Sequence, residues 1–150
     1  MESPIAAVLQ QDHARLDRLL ESAAEAVRAG RWKEAAVLLE RFRHGIVDGH
    51  MDVEEKILFP AFERWETDVE HSLTALLKKG HQDLRVFFQE MAETIGASDM
   101  EEFLDLLGTV QTILRQHDAK EEAELYPFLA DALPDGGGTA AGLLAERRDA

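Results

Sequence analysis

Four of the six histidines in this chain interrupt runs of apolar residues spaced for a helix. His13 lies between Leu9 and Leu16, His50 between Ile46 and Val53, His81 between Leu77 and Leu84, and His117 between Leu114 and Leu125. Glu54 follows His50 by four residues, and Glu121 follows His117 by four. Positions i and i+4 of an α-helix are only about 40° apart, so each His/Glu pair shares one face. Imidazoles and carboxylates buried together form either a hydrogen-bonded polar network or a metal site. A network needs counter-charges, and almost no cation shares the buried stripes with these six groups. Left unpaired, each would cost about 1–3 kcal/mol, and six would rival the stability of a whole domain, about 5–15 kcal/mol. A bound metal removes that cost by turning the groups into ligands.

Mixed imidazole and carboxylate donors suit iron, manganese or zinc better than calcium or magnesium. Six donors are too many for one tetrahedral zinc. Two ions, each holding two histidines and bridged by two carboxylates, match the count. The Glu-x-x-His spacing of ferritin-like di-iron proteins is absent, as is His-Glu-x-x-His. His44 and His71 fall about 200° from their apolar stripes and read as surface residues. Glu55 and Glu122, one residue beyond Glu54 and Glu121, rotate about 100° off that face and read as surface groups or as supports for the ligands. Tyr126, the only tyrosine, reads as a packing residue, as do the phenylalanines, Trp32 and Trp65.

The elements that must position these groups are helices. There are four prolines, and β-branched residues never cluster. Apolar positions recur at helical spacing in four stripes. They run Ile5 to Val27, Trp32 to Ile57, Leu73 to Ile95 and Phe103 to Phe128. Ser3-Pro4 predicts the first N-terminus, Gly30 and Gly96 predict stops, and Ser98-Asp99 predicts a cap. The links near residues 30, 66 and 97 are short, which predicts an all-α, antiparallel up-down-up-down four-helix bundle over 1–134. Residues 135–150 read as a Gly-rich linker and a short C-terminal segment, either helical or unstructured. His13 lies 17 residues before the link at 30, and the His50/Glu54 midpoint lies 22 after it. His81 lies 16 before the link at 97, and the His117/Glu121 midpoint 22 after it. At about 1.5 Å per residue all six groups fall in one layer.

An internal repeat underlies this layer. HMDVEEKILFPAF from His50 and HDAKEEAELYPFL from His117 share His, Glu, Glu, Leu and Pro in register. The separations 13 to 81 and 50 to 117 are 68 and 67 residues, so two helical hairpins related by a pseudo-two-fold axis are expected. Composition narrows the function. Sixteen basic against thirty acidic residues give a net charge of −14, which disfavours nucleic acid and membrane surfaces as partners. Cysteine is absent, which removes disulfides, thiol nucleophiles and iron–sulfur clusters. No apolar run approaches the roughly 18 residues of a membrane span, and the N-terminus has no basic n-region, so a cytoplasmic location is expected.

The ordered set His13, His50-x-x-x-Glu54-Glu55, His81, His117-x-x-x-Glu121 and the following Leu-Tyr-Pro resembles the hemerythrin-like (HHE cation-binding) family, over about residues 13 to 128. The resemblance implies a four-helix bundle around two iron ions with an oxo or hydroxo bridge, iron ranking ahead of manganese or zinc. It implies His13, His50, His81 and His117 as terminal ligands and Glu54 and Glu121 as bridges. Oxygen-carrying members have a further histidine four residues after the third, where this chain has Arg85, and end in His-x-x-x-x-Asp. A six-ligand site is therefore implied, with one more coordination position open to a small molecule. Arg85 either packs its stem on the core with its guanidinium in water, or stands beside that open position. The functions implied are binding or sensing of dioxygen or nitric oxide, removal of peroxide by an oxidoreductase, or iron sensing and storage.

Overall fold

The computed structural model describes residues 4–148, which are helical throughout apart from short connections, with no strand among them. Helix α1 spans Pro4–Arg28. A second long run begins as α2 (Trp32–Arg43), widens into π-helical turns over His44–Met51 and Glu54–Leu58, and ends as α3 (Phe59–Trp65). Helix α4 spans Ser72–Gly96, and α5 spans Met100–Glu124. A 3₁₀ turn over Tyr126–Phe128 leads into the short α6 (Leu129–Ala132), and α7 covers Gly138–Arg148. Helix α1 packs on α2 and α5, and α4 packs on α5 and α2, which makes a helical bundle.

The predicted boundaries are largely where the local chemistry puts them. Gly30 follows α1 with φ +71°, the left-handed conformation that glycine adopts without a Cβ penalty. Asp99 caps α5, its side chain accepting the Glu102 N–H at 3.1 Å. At the end of α4 the left-handed residue is Ser98 (φ +54°) rather than Gly96, which is the last helical residue. The predicted cap at Ser3 lies outside the described residues, as does the end of the chain beyond Arg148.

The core is split in two. One apolar cluster holds Leu16, Leu20, Phe42, Ile46, Met51, Leu84, Phe88, Leu107 and Leu114. The other holds Ile5, Leu9, Val53, Leu58, Phe59, Leu77, Leu125 and Tyr126. Along α1, α4 and α5 the polar residues come where the chain passes from one cluster to the other: Leu9, His13, Leu16; Leu77, His81, Leu84; Leu114, His117, Glu121, Leu125. A polar layer thus sits between two oily ones.

Segment 135–137 is a capped turn. Asp135 accepts from the backbone N–H groups of Gly137 (3.0 Å) and Thr139 (2.7 Å). A Cβ on Gly137 would meet Ile5 at 2.7 Å. Helix α7 then lies on α1 and on the π-helical turn His44–Met51, burying Ala140 and Leu144. Arg147 donates to the Asp52 carboxylate and to the Asp48 carbonyl on that same run.

Candidate metal centre

The structure brings His13, His50, Glu54, His81, His117 and Glu121 together. Glu54, His81 and Glu121 are fully buried, and His50 and His13 nearly so. Their donor atoms form two groups. Glu54, His81, His117 and Glu121 form one, and His13, His50 and Glu121 the other; within each, all donors lie inside 4.8 Å of one another. Glu121 belongs to both. The His81 Nε2 is 3.3 Å from Glu54 Oε1, the His117 Nε2 is 3.3 Å from Glu121 Oε1, and the His13 Nε2 is 3.6 Å from the same Glu121 oxygen.

The outer nitrogens are held in place by carboxylates. With Nδ1 protonated, His50 donates to Asp12 (2.9 Å), His81 to Glu55 (2.6 Å) and His13 to Glu122 (3.1 Å). This arrangement turns each Nε2 toward the centre, the orientation a metal requires. His117 has no such carboxylate. Its Nδ1 lies over Gly80, where a Cβ would approach to 2.9 Å. Glu55 and Glu122, read as surface or supporting groups, support His81 and His13. Arg85 donates to Glu55 at 2.8 Å. It therefore sits behind His81, on the Nδ1 side, and does not line the central cavity. Of the two expectations for Arg85, a place beside an open position is not what the geometry shows. His44 and His71 stand apart from the centre, paired with Asp48 at 3.1 Å and Glu66 at 2.9 Å.

Three groups extend the expected set. Asp12 is 1 % exposed and also takes Arg15 at 2.9 Å; its place between Leu9 and Leu16 on the buried stripe was the available signal. Asp118 lies 3.4 Å from the His13 Nε2. Tyr126 does more than pack. Its hydroxyl donates to Glu54 Oε2 at 3.1 Å and lies 3.1 Å from His13 Nε2 and 3.2 Å from His50 Nε2. Helix α5 ends at Glu124, and the 3₁₀ turn at Pro127 brings the ring back toward the polar layer. An uninterrupted helix would have carried it more than a turn past Glu121. Its counterpart in the repeat, Phe59, stacks on His81 with ring centroids 5.5 Å apart.

The two central carboxylates are pushed in opposite directions. Burial pushes the Glu121 carboxyl well above its ordinary range, and the neighbouring Glu54 charge adds to the shift. Burial would raise Glu54 too, but the His50 charge and the neighbouring Glu121, His50 and His81 groups together outweigh it and hold Glu54 well below. Burial opposes charge on His50, yet Glu54 and Asp12 hold its proton well above the usual imidazole range. Asp118 is raised to about 6, chiefly by burial. Burial and the charges of Glu121 and Glu54 keep the Tyr126 phenol protonated. Among the described residues, five buried side-chain atoms have no hydrogen-bond partner: Glu54 Oε1, His81 Nε2, His117 Nε2 and both Glu121 oxygens. All are lone-pair donors aimed at one small space, and the Nε2 atoms of His13 and His50 approach to 3.0 Å across it. The donor set fits divalent transition metals, and the cavity, about 10 Å³, has no room for an organic substrate.

Comparison with curated proteins and with solved structures gave no match. A family model described as the hemerythrin HHE cation binding domain matches residues 5–129, which include all six donors and the Tyr-Pro turn. The chain belongs to the hemerythrin HHE cation-binding family.

Proposed function

We propose that this chain is a non-haem di-iron protein whose centre binds a small molecule, with dioxygen binding or sensing as its main work. In this reading the bundle is the antiparallel up-down-up-down four-helix form. His81 and His117 hold one ion, His13 and His50 hold the other, and Glu54 and Glu121 bridge them. The observation that carries it is the pair of donor groups sharing Glu121. Iron at these positions would supply electrons to a bound diatomic molecule. The protein's own part is to exclude other chemistry. Leu16, Phe42, Ile46, Met51 and Leu114 wall the cavity with apolar surface, which suits dioxygen or nitric oxide and resists bulk water. Tyr126 keeps a proton at its hydroxyl and donates it to Glu54 Oε2 at 3.1 Å, beside the Nε2 atoms of His13 and His50.

That same proton favours a second reading, in which the centre consumes peroxide, because the Tyr126 phenol can pass a proton inward through Glu54, which lines the cavity. Rapid mixing of the reduced, iron-loaded protein with dioxygen and with hydrogen peroxide separates the two. A stable adduct reversed by lowering the oxygen pressure supports binding. Repeated peroxide turnover with iron retained supports the oxidoreductase. Elemental analysis showing no transition metal in protein from iron-replete cells would overturn both.

A further inference from the structure

Two hollows meet at the centre. The inner one is the small cavity just described. The outer one is a surface groove between α1 and α5 of about 770 Å³. The two share His13, Asp17, Leu114 and Asp118. The other large hollows, beside Trp32 and beside His71, share no residue with the inner cavity. The groove therefore brings solvent up to a wall of His13, Asp17, Leu114 and Asp118 that it shares with the inner cavity, and on the inner side of that wall Glu121 is fully buried with both oxygens unpartnered.

The charge of the groove is lopsided. Asp17, Glu21, Asp118 and Glu122 face it, against Arg115. Glu21 is paired with Arg28 at 3.0 Å, and Glu122 holds His13 at 3.1 Å. Asp17 makes no ion pair among the described residues and stands at the junction of groove and cavity. A cleft lined by one sign of charge over low-dielectric walls concentrates counter-ions and accelerates their entry by about 10- to 1,000-fold. On an unbroken helix face the four carboxylates would be ordinary solvated acids. Here they lead to lone-pair donors that lack a partner.

We propose that the groove between α1 and α5 is the entry port of the centre, drawing in divalent cations. The proposal rests on the metal-binding reading above, and its test separates the two. Apoprotein of the full chain is mixed with zinc in a stopped-flow instrument, and uptake is followed by a zinc-responsive indicator. Asp17→Lys should slow uptake about three- to tenfold at low ionic strength, the difference shrinking as salt is added, with final occupancy unchanged. Glu90→Lys, the same charge change at an exposed position on α4, should slow it far less. Ala119→Trp, at an exposed residue of the groove wall, should slow uptake at every salt concentration. The port is overturned if Asp17→Lys slows entry no more than Glu90→Lys, or if Ala119→Trp loads at the wild-type rate. Wild-type apoprotein that takes up no zinc at all would remove the metal reading and the port with it.

Discussion

Glu121 is the side chain on which both donor groups depend, since it closes each of them and has neither oxygen satisfied by protein. Glu54 enters the His81/His117 group and takes the Tyr126 hydroxyl on its other oxygen. Glu121→Ala should therefore cost more metal than Glu54→Ala, reducing the content from two ions per chain toward none. Elemental analysis after gel filtration reads this directly, and full occupancy in Glu121→Ala would show that it does not bridge. Gly80 tests the geometry from the opposite side. Alanine in a helix interior is ordinarily about 0.5–1 kcal/mol better than glycine. At position 80 the added Cβ would press on His117 Nδ1 at 2.9 Å, within a buried ring environment that has little room to yield. Gly80→Ala should lower affinity for the ion held by His117 without the gain in apoprotein stability that helix propensity promises. A metal titration paired with urea denaturation checks both halves of that statement.

At the scale of elements, the C-terminal helix takes part in the bundle more than its weak sequence signal suggests. Leu144 is 2 % exposed and packs in the same cluster as Ile5 and Leu58. Leu144→Ala should destabilise the protein by about 2–5 kcal/mol, the range for a buried leucine, while the folded protein keeps its full metal content. A urea midpoint shifted by a few tenths molar or less would place α7 outside the cooperative unit. The four stripes were legible because each buried face repeats at helical spacing, and the polar layer was legible because His13, His50, His81 and His117 interrupt those stripes at matching heights. Two features were not. The π-helical turns that carry His50 and Glu54 leave the i, i+4 pair on nearly the same face as an α-helix does, so the pattern of residue types does not reveal them. The position of the Tyr126 hydroxyl depends on where α5 stops, and helix ends are set by local backbone geometry around Pro127 rather than by periodicity. Asp12 was readable in principle, as a carboxylate on an apolar stripe; its partner His50 lies 38 residues away, and only the packed fold brings the two together.

For the molecule as a whole, the arrangement couples metal to folding. The polar layer lies between two apolar clusters, and Glu54, His81 and Glu121 within it are fully buried. Without a cation, the protein must keep Glu54 and Glu121 buried together and leave five donor atoms unpaired. Each such atom costs about 1–3 kcal/mol, against a total domain stability of about 5–15 kcal/mol. Metal that binds only the native state repays this by mass action, about 2.7 kcal/mol for each site at a free concentration one hundred times its dissociation constant. The chelated protein should therefore unfold at a temperature several degrees or more below the loaded one, and its melting temperature should climb with added free metal. His44→Gln should melt with the wild type in both states, because that residue is exposed and pairs only with Asp48. Scanning calorimetry on chelated and reloaded samples, with metal content measured on each, decides the matter. Equal melting temperatures at verified occupancies of zero and two would mean that the ions bind outside the polar layer, and the assignment of His13, His50, Glu54, His81, His117 and Glu121 as their ligands would fail with it.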